Sequence, residues 1–214
     1  IQASREDGFA SIPRVIAFER CWERPVLVET AIAGRPLEPP RVRVDPAAAC
    51  QTMIQWLLEV QMAGRTPARV HDNWFERLIA KPFSLLEKNM ALTGEERALL
   101  ADTWQLAERL TTLDFPLVVE HGDLSHPNLI LRDGNGSRPE AGVVDWELAH
   151  VHGLPGCDLF FFLAYVAFAQ HGARENRRYV EAFHNTFFDG ASWILPYVRE
   201  YTQEVGLPTQ ALTP

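Results

Sequence analysis

The stretch EHGDLSHPNLIL, residues 120–131, constrains this chain more than any other. It sets Glu120, His121, Asp123, Ser125, His126 and Asn128 within nine residues, directly between the apolar runs Leu117 to Glu120 and Leu129 to Arg132. Runs of that kind read as strands, so the polar residues fall on the connection between them. Loops held by a rigid scaffold are where catalytic and binding groups concentrate. Asp123 and Asn128 are five apart, and a curled loop turns both into one cleft. A carboxylate there suits positioning a hydroxyl or taking its proton, and a carboxamide oxygen suits a hard divalent cation. A second cluster follows, VVDWELAH at 143–150. Asp145 ends an apolar strand opening at Gly142, and DGNGS (133–137) supplies the turn before it. A carboxylate at that strand end is a natural Mg²⁺ ligand beside Asn128.

The remaining elements follow from local signals. Residues 14–19 and 25–30 read as two strands, joined tightly through Cys21 to Arg24. The segment 31–46 holds four prolines and a glycine and reads as an interlobe linker. Asp45 can cap a helix with Pro46 in its first position. Cys50, Met53, Ile54, Leu57, Leu58 and Gln61 continue it at helical spacing, and Gly64 stops it. A second helical stretch spans about 72–90, with a break expected at Pro82. A third opens on the capping box Thr93/Glu96 and runs to about Leu110. Helix is expected again from Asp158 through Phe188 and from Ser192 to Val205. The fold class is α+β, with a mostly helical C-terminal part.

Composition narrows the function. Apolar residues are 47% and charged residues 22%, which excludes a disordered or collagen-like chain. The net charge of −8 disfavours generic nucleic-acid binding. The longest apolar run, Leu159 to Ala169, is too short for a bilayer. Cys21, Cys50 and Cys157 form no CxxC pair and read as small buried residues in a reducing, cytoplasmic setting.

With both clusters in place, HGDLSHPN followed by VVDWE resembles the aminoglycoside phosphotransferase and choline kinase-like family, which has a protein-kinase-like fold. That family carries HGDxxxxN and then an apolar strand ending in D-[FW]-E, paralleling the HRDxxxxN and DFG elements of protein kinases. The resemblance implies Mg²⁺ and ATP as co-substrate, and transfer of the γ-phosphoryl group to a hydroxyl of a small aminoglycoside-, choline- or sugar-like acceptor. It implies Asp123 as the catalytic aspartate and Asn128 and Asp145 as metal ligands. Glu147 falls in the family's acidic position after the metal aspartate, and His126 is a further candidate site residue. His121 falls where the family has a structural residue beneath the loop, and Asp158 where a carboxylate braces the loop through backbone hydrogen bonds. Residues 12–37 resemble the last small-lobe strands and the hinge, so Glu29, Thr30 and Ala31 would meet the adenine edge. Gly34 and Leu37 fit the family's G-x-x-L. The implied division is a partial small lobe at 1–30, a hinge or linker at 31–45 and a large lobe at 46–214.

The sequence departs from the family at its front. No lysine precedes Lys81, and no GxGxxG occurs. The chain therefore reads as a kinase fragment or a truncated relative, a poor kinase by itself or none. Only thirteen positions separate Asp145 from Asp158, leaving little room for a peptide-docking activation loop and favouring a small-molecule acceptor. The acidic net charge is compatible with a cationic one. Aromatic residues after Asp158, such as Phe160, Phe161, Phe162, Tyr165, Phe168, Phe183, Phe187 and Phe188, read mainly as core. Two other readings remain: a non-catalytic, partner-binding pseudokinase remnant, and a metal-dependent hydrolase built on His121, His126, His150, His152 and the two aspartates.

Overall fold

The computed structural model describes residues 10–68, 73–132, 139–188 and 193–211. In chain order the elements are β1 (Val15–Cys21), β2 (Arg24–Glu29), β3 (Arg35–Pro36), α1 (Pro39–Val44), α2 (Pro46–Gly64), β4 (Thr66–Pro67), α3 (Lys81–Asn89), α4 (Gly94–Leu110), β5 (Pro116–Glu120), β6 (Leu129–Arg132), β7 (Glu140–Val143), β8 (His150–Gly153), α5 (Cys157–Gln170), α6 (Asn176–Phe187) and α7 (Leu195–Val205). The chain divides into two compact units. One comprises residues 1–57, 121–149 and 158–198, the other 58–120, 150–157 and 199–214.

In the first unit, β1 and β2 pair as an antiparallel hairpin. Trp22 and Glu23 join them with φ of 49° and 66°. Two left-handed residues in succession match the twist of the strands, a turn usually built on Asn-Gly. The segment read as linker is structured. Its β3 pairs with β6, Arg35 opposite Leu131, and β6 pairs in turn with β7. Gly34 sits before β3 at φ +157°, where a Cβ would run into the carbonyl of Leu131. α2 begins as its sequence dictates: the Asp45 carboxylate accepts the Ala48 N–H at 2.9 Å, and Pro46 needs no partner for its missing N–H. Its first half buries Cys50, Met53, Ile54 and Leu57, joined in the core by Leu37, Leu129, Val143, Phe162 and Leu163.

The helix expected from Asp158 to Phe188 divides at Gly172. There φ is +58°, the Ala173 N–H reaches the Phe168 carbonyl at 2.9 Å and the Gly172 N–H reaches Ala169 at 3.2 Å. These two bonds are the pair that closes a helix on a left-handed glycine.

The second unit holds the sheet β4–β5–β8. A core of Trp74, Ile79, Ala107, Phe115 and Leu117 lies in this unit, with the Trp74 and Phe115 rings edge-to-face at 5.3 Å. The helix does not break at Pro82. It widens just before it, over Glu76–Ala80, where the Lys81 N–H reaches back five residues to Glu76. Such a π turn accommodates a register the proline cannot support. α4 carries its capping box in full: Thr93 Oγ1 accepts the Glu96 N–H at 3.2 Å and the Thr93 N–H donates to Glu96 Oε2 at 2.7 Å.

Cys50 is buried, and burial pushes its thiol up to about 12. Cys21 and Cys157 are exposed, because one ends β1 at the hairpin turn and the other opens α5, so the expectation of three buried cysteines fails for two. No helix among the described residues is long and apolar enough to cross a membrane.

Candidate active site

Every residue given a role in the phosphotransferase reading lies in the first unit, whereas His150 and His152 of the hydrolase reading fall in the second. The site is built from the loop before β6, the loop after β7 and the first turn of α5. β6 and β7 set the spacing. Leu129 pairs with Val143, and the Val144 N–H continues the ladder to the Asn128 carbonyl at 3.0 Å. Asp145 thus stands one residue beyond a backbone bond to Asn128.

Asp158 anchors the first loop from beneath. Its carboxylate, buried in the first turn of α5, accepts the His121 N–H at 2.8 Å and the Gly122 N–H at 3.0 Å. Gly122 is at φ +84°, and a Cβ there would stand 2.8 Å from the Leu148 carbonyl oxygen. The His121 ring is buried and ties the two loops together. Its Nδ1 accepts the Asp123 N–H at 3.2 Å, which leaves the proton on Nε2 to donate to the Val144 carbonyl at 3.0 Å. Trp146 packs edge-on against His121 at 4.8 Å, and its Nε1 donates to the Val143 carbonyl at 3.0 Å.

Above this support lies the polar end of the loop. Asn128 is buried, and its amide donates to both the main-chain carbonyl and Oδ2 of Asp123, each at 3.0 Å. Ser125 Oγ donates to Asp123 Oδ1 at 3.1 Å. Both oxygens of the Asp123 carboxylate are therefore held, and both amide protons of Asn128 are spent, so its oxygen is the atom left for a cation. Asp145 is exposed, at φ +66°, with no hydrogen bond or ion pair among the described residues. A left-handed non-glycine residue costs energy and is found where surrounding bonds over-determine it, often at functional sites. Asn128 and Asp145 offer two hard oxygen donors, fewer than a cation needs, so phosphate oxygens and water would complete the shell. Among the described residues, no group of three or more His, Cys, Asp and Glu side chains is placed to hold a metal ion.

Glu147 is exposed beyond Trp146. Glu29, Thr30 and Ala31 close the β1–β2 hairpin and lead away from it. The Thr30 N–H donates to the Arg14 carbonyl at 2.9 Å, and Thr30 Oγ1 accepts the Arg14 N–H at 2.8 Å. The hairpin fixes this stretch, and the amide of Thr30 is already used.

Beside Ser125 and His126 opens a pocket of about 470 Å³, walled by Pro39 and Arg43 of α1, by Tyr165 and Phe168 of α5 and by Arg174 and Tyr179. The His126 and Tyr165 rings stack at 6.5 Å. The Tyr165 hydroxyl donates to the Leu37 carbonyl at 2.5 Å. Burial and then the Glu38 carboxylate raise its pKa, with Arg43 acting the other way, so the phenol stays protonated. Of the aromatics read as core, Phe162 is buried, whereas Phe160, Phe161, Phe183 and Phe188 are exposed.

Sequence reading assigned no role to Ser125, although a hydroxyl two residues after an aspartate is well placed to bond it. Arg43 carried no local signal at all. Its Nη1 meets the Ala169 carbonyl 126 residues away, at 3.2 Å. A family model described as the phosphotransferase enzyme family matches residues 2–197. A search of curated proteins gives no match.

Proposed function

The chain belongs to the phosphotransferase enzyme family, and from its kinase-like fold and the geometry around Asp123 we propose that it transfers the γ-phosphoryl group of ATP to a hydroxyl of a small organic acceptor. The observation that carries this reading is the held carboxylate of Asp123. Asn128 and Ser125 fix its two oxygens, Ser125 also lines the pocket, and Asp145 is one residue past the strand bond to Asn128.

In this reading Asp123 aligns the acceptor hydroxyl and takes its proton as the phosphoryl group moves. Asn128, through Oδ1, and Asp145, through its carboxylate, would hold Mg²⁺. When bound there, Mg²⁺ supplies neutralisation of phosphate charge. Asp158 and His121 do no chemistry and keep the loop from relaxing. Catalysis of this kind is mainly positioning and electrostatic stabilisation. Glu29 to Ala31 would meet the adenine. With the Thr30 N–H spent on Arg14, that contact falls to its neighbours.

The test is transfer of labelled γ-phosphate to a panel of small alcohols, with Asp123→Asn as control. Asparagine keeps the shape and can still bond Ser125 and Asn128, but it accepts no proton. Transfer is expected to fall by roughly 10²–10⁴-fold, while nucleotide binding stays nearly intact. Undiminished transfer in that variant overturns the assignment. ATP binding without transfer to any acceptor points to the non-catalytic reading instead.

A further inference from the structure

The pocket beside Ser125 has a charge opposite to that of the chain. The whole chain carries a net −8, yet the charged side chains that wall this pocket are Arg43 and Arg174, His126 of the loop before β6 joins them in the lining, and no Asp or Glu does. The nearest acids lie outside the wall. Glu38 precedes α1 and acts on Tyr165 electrostatically, Glu175 follows Arg174 as the N-cap of α6, and Asp123 bonds Ser125 of the wall without itself lining the pocket. Neither Arg43 nor Arg174 has an ion pair among the described residues. Among the described residues the Arg43 side chain makes one hydrogen bond, to the Ala169 carbonyl, which holds its guanidinium in place. Phe168 and Tyr179 meet edge-to-face at 4.9 Å, the Tyr165 and His126 rings stack at 6.5 Å, and all four line the pocket.

A polyamine in this space would meet two guanidinium groups and no carboxylate, an arrangement that costs energy without repayment. A carboxylate or phosphate would meet planar donor forks suited to bidentate pairing. The aromatic walls suit a flat apolar body, and about 470 Å³ is ample for one ring with two substituents. Resting on the phosphotransferase reading for its reactive end, we infer that the acceptor is an anionic aromatic alcohol. Its ring lies against the aromatic lining of Tyr165, His126, Phe168 and Tyr179, its acid group faces Arg43 and Arg174, and its hydroxyl points past Ser125 to Asp123. The two arginines thereby act as specificity determinants against cationic acceptors.

The probes are three compounds of one shape: 4-(hydroxymethyl)benzoate, 1,4-benzenedimethanol and 4-(aminomethyl)benzyl alcohol. Binding is read by calorimetry without nucleotide, and phosphorylation separately with ATP and Mg²⁺. The benzoate should bind at least tenfold more tightly than the diol, and the amine more weakly than either. Arg174→Glu, on the pocket rim and making no described hydrogen bond, should erase or invert that order. Arg43→Ala should weaken the benzoate at least tenfold and leave the diol unchanged. Because Arg43 also holds Ala169, the Arg174 variant decides the matter if the other misfolds. Equal or stronger binding of the amine, or an order that Arg174→Glu leaves untouched, overturns the inference. If the diol or amine is phosphorylated while the benzoate neither binds nor reacts, the preference is wrong and the phosphotransferase reading survives. If the benzoate binds in the expected order yet no alcohol is ever phosphorylated, the pocket's preference stands and the transfer reading fails.

Discussion

Asp158 shows how much one side chain can carry without touching a substrate. Its two oxygens receive the N–H groups of His121 and Gly122, one each, in a place closed to water. A carboxylate is required there because both partners are donors. Asp158→Asn keeps the shape but turns one oxygen into an amide nitrogen, setting donor against donor. A buried donor left unmet costs about 1–3 kcal/mol. For a chain of this length, that lowers Tm by roughly 2–4 °C per kcal/mol. Calorimetry should show that loss, and any transfer activity should fall with it, because the shift passes through Gly122 to Asp123. An unchanged Tm in the variant would mean that the loop is held by other bonds. His121 belongs to the same support, with its tautomer set by the Asp123 N–H on one side and the Val144 carbonyl on the other.

Elements whose causes are local were legible in the sequence, and those whose causes are distant were not. α2 and α4 announce themselves through Asp45-Pro46 and Thr93/Glu96, where the capping partners lie within three residues. β3, β4 and β8 run for two to four residues, and their partners are far along the chain. Arg35 answers to Leu131 and Thr66 to Leu117, so no window of sequence could show them. The same divide runs through the site. The closeness of Asp123 to Asn128 and the place of Asp145 beside the Asn128 strand bond were legible from spacing along two strands, whereas Arg43 reaches the pocket only through its distant bond to Ala169 on α5. The cap of α4 gives a direct test of a local cause. Thr93→Ala removes the hydroxyl that accepts the Glu96 N–H, an expected loss of about 1 kcal/mol. Glu96 itself is held below its ordinary pKa, first by the Thr93 backbone and then by its side chain. A depressed carboxylate contributes stability above its unfolded pKa and loses it as pH falls through the folded one. Thermal melts of the parent and Glu96→Gln should therefore differ at neutral pH and converge in acid below 4.5. A gap that widens in acid would contradict the cap.

Across these 214 residues, the groups that the proposed function would use to hold a nucleotide are unevenly supplied. The family match spans residues 2–197, yet these 214 residues hold no lysine before Lys81 and no glycine-rich phosphate loop. Each charge-assisted hydrogen bond not made to the phosphates forgoes about 1.5–3 kcal/mol. In the proposed site the triphosphate would be met by Asn128 and Asp145 oxygens, and the Asp145 carboxylate repels phosphate unless a cation lies between them. Binding of ATP to this chain should therefore be weak and steeply dependent on Mg²⁺, falling at least tenfold when the cation is chelated. Asp145→Ala should abolish that dependence by lowering affinity in Mg²⁺. Without the cation the sign reverses, because deleting a carboxylate beside the phosphates removes a repulsion, so the variant should then bind ATP as well as the parent or slightly better. Paired calorimetric titrations of ATP into parent and variant, with and without Mg²⁺, give all four values. If the variant keeps the parent's response to Mg²⁺, the cation is held elsewhere, and the role given to the left-handed, unpaired Asp145 is wrong.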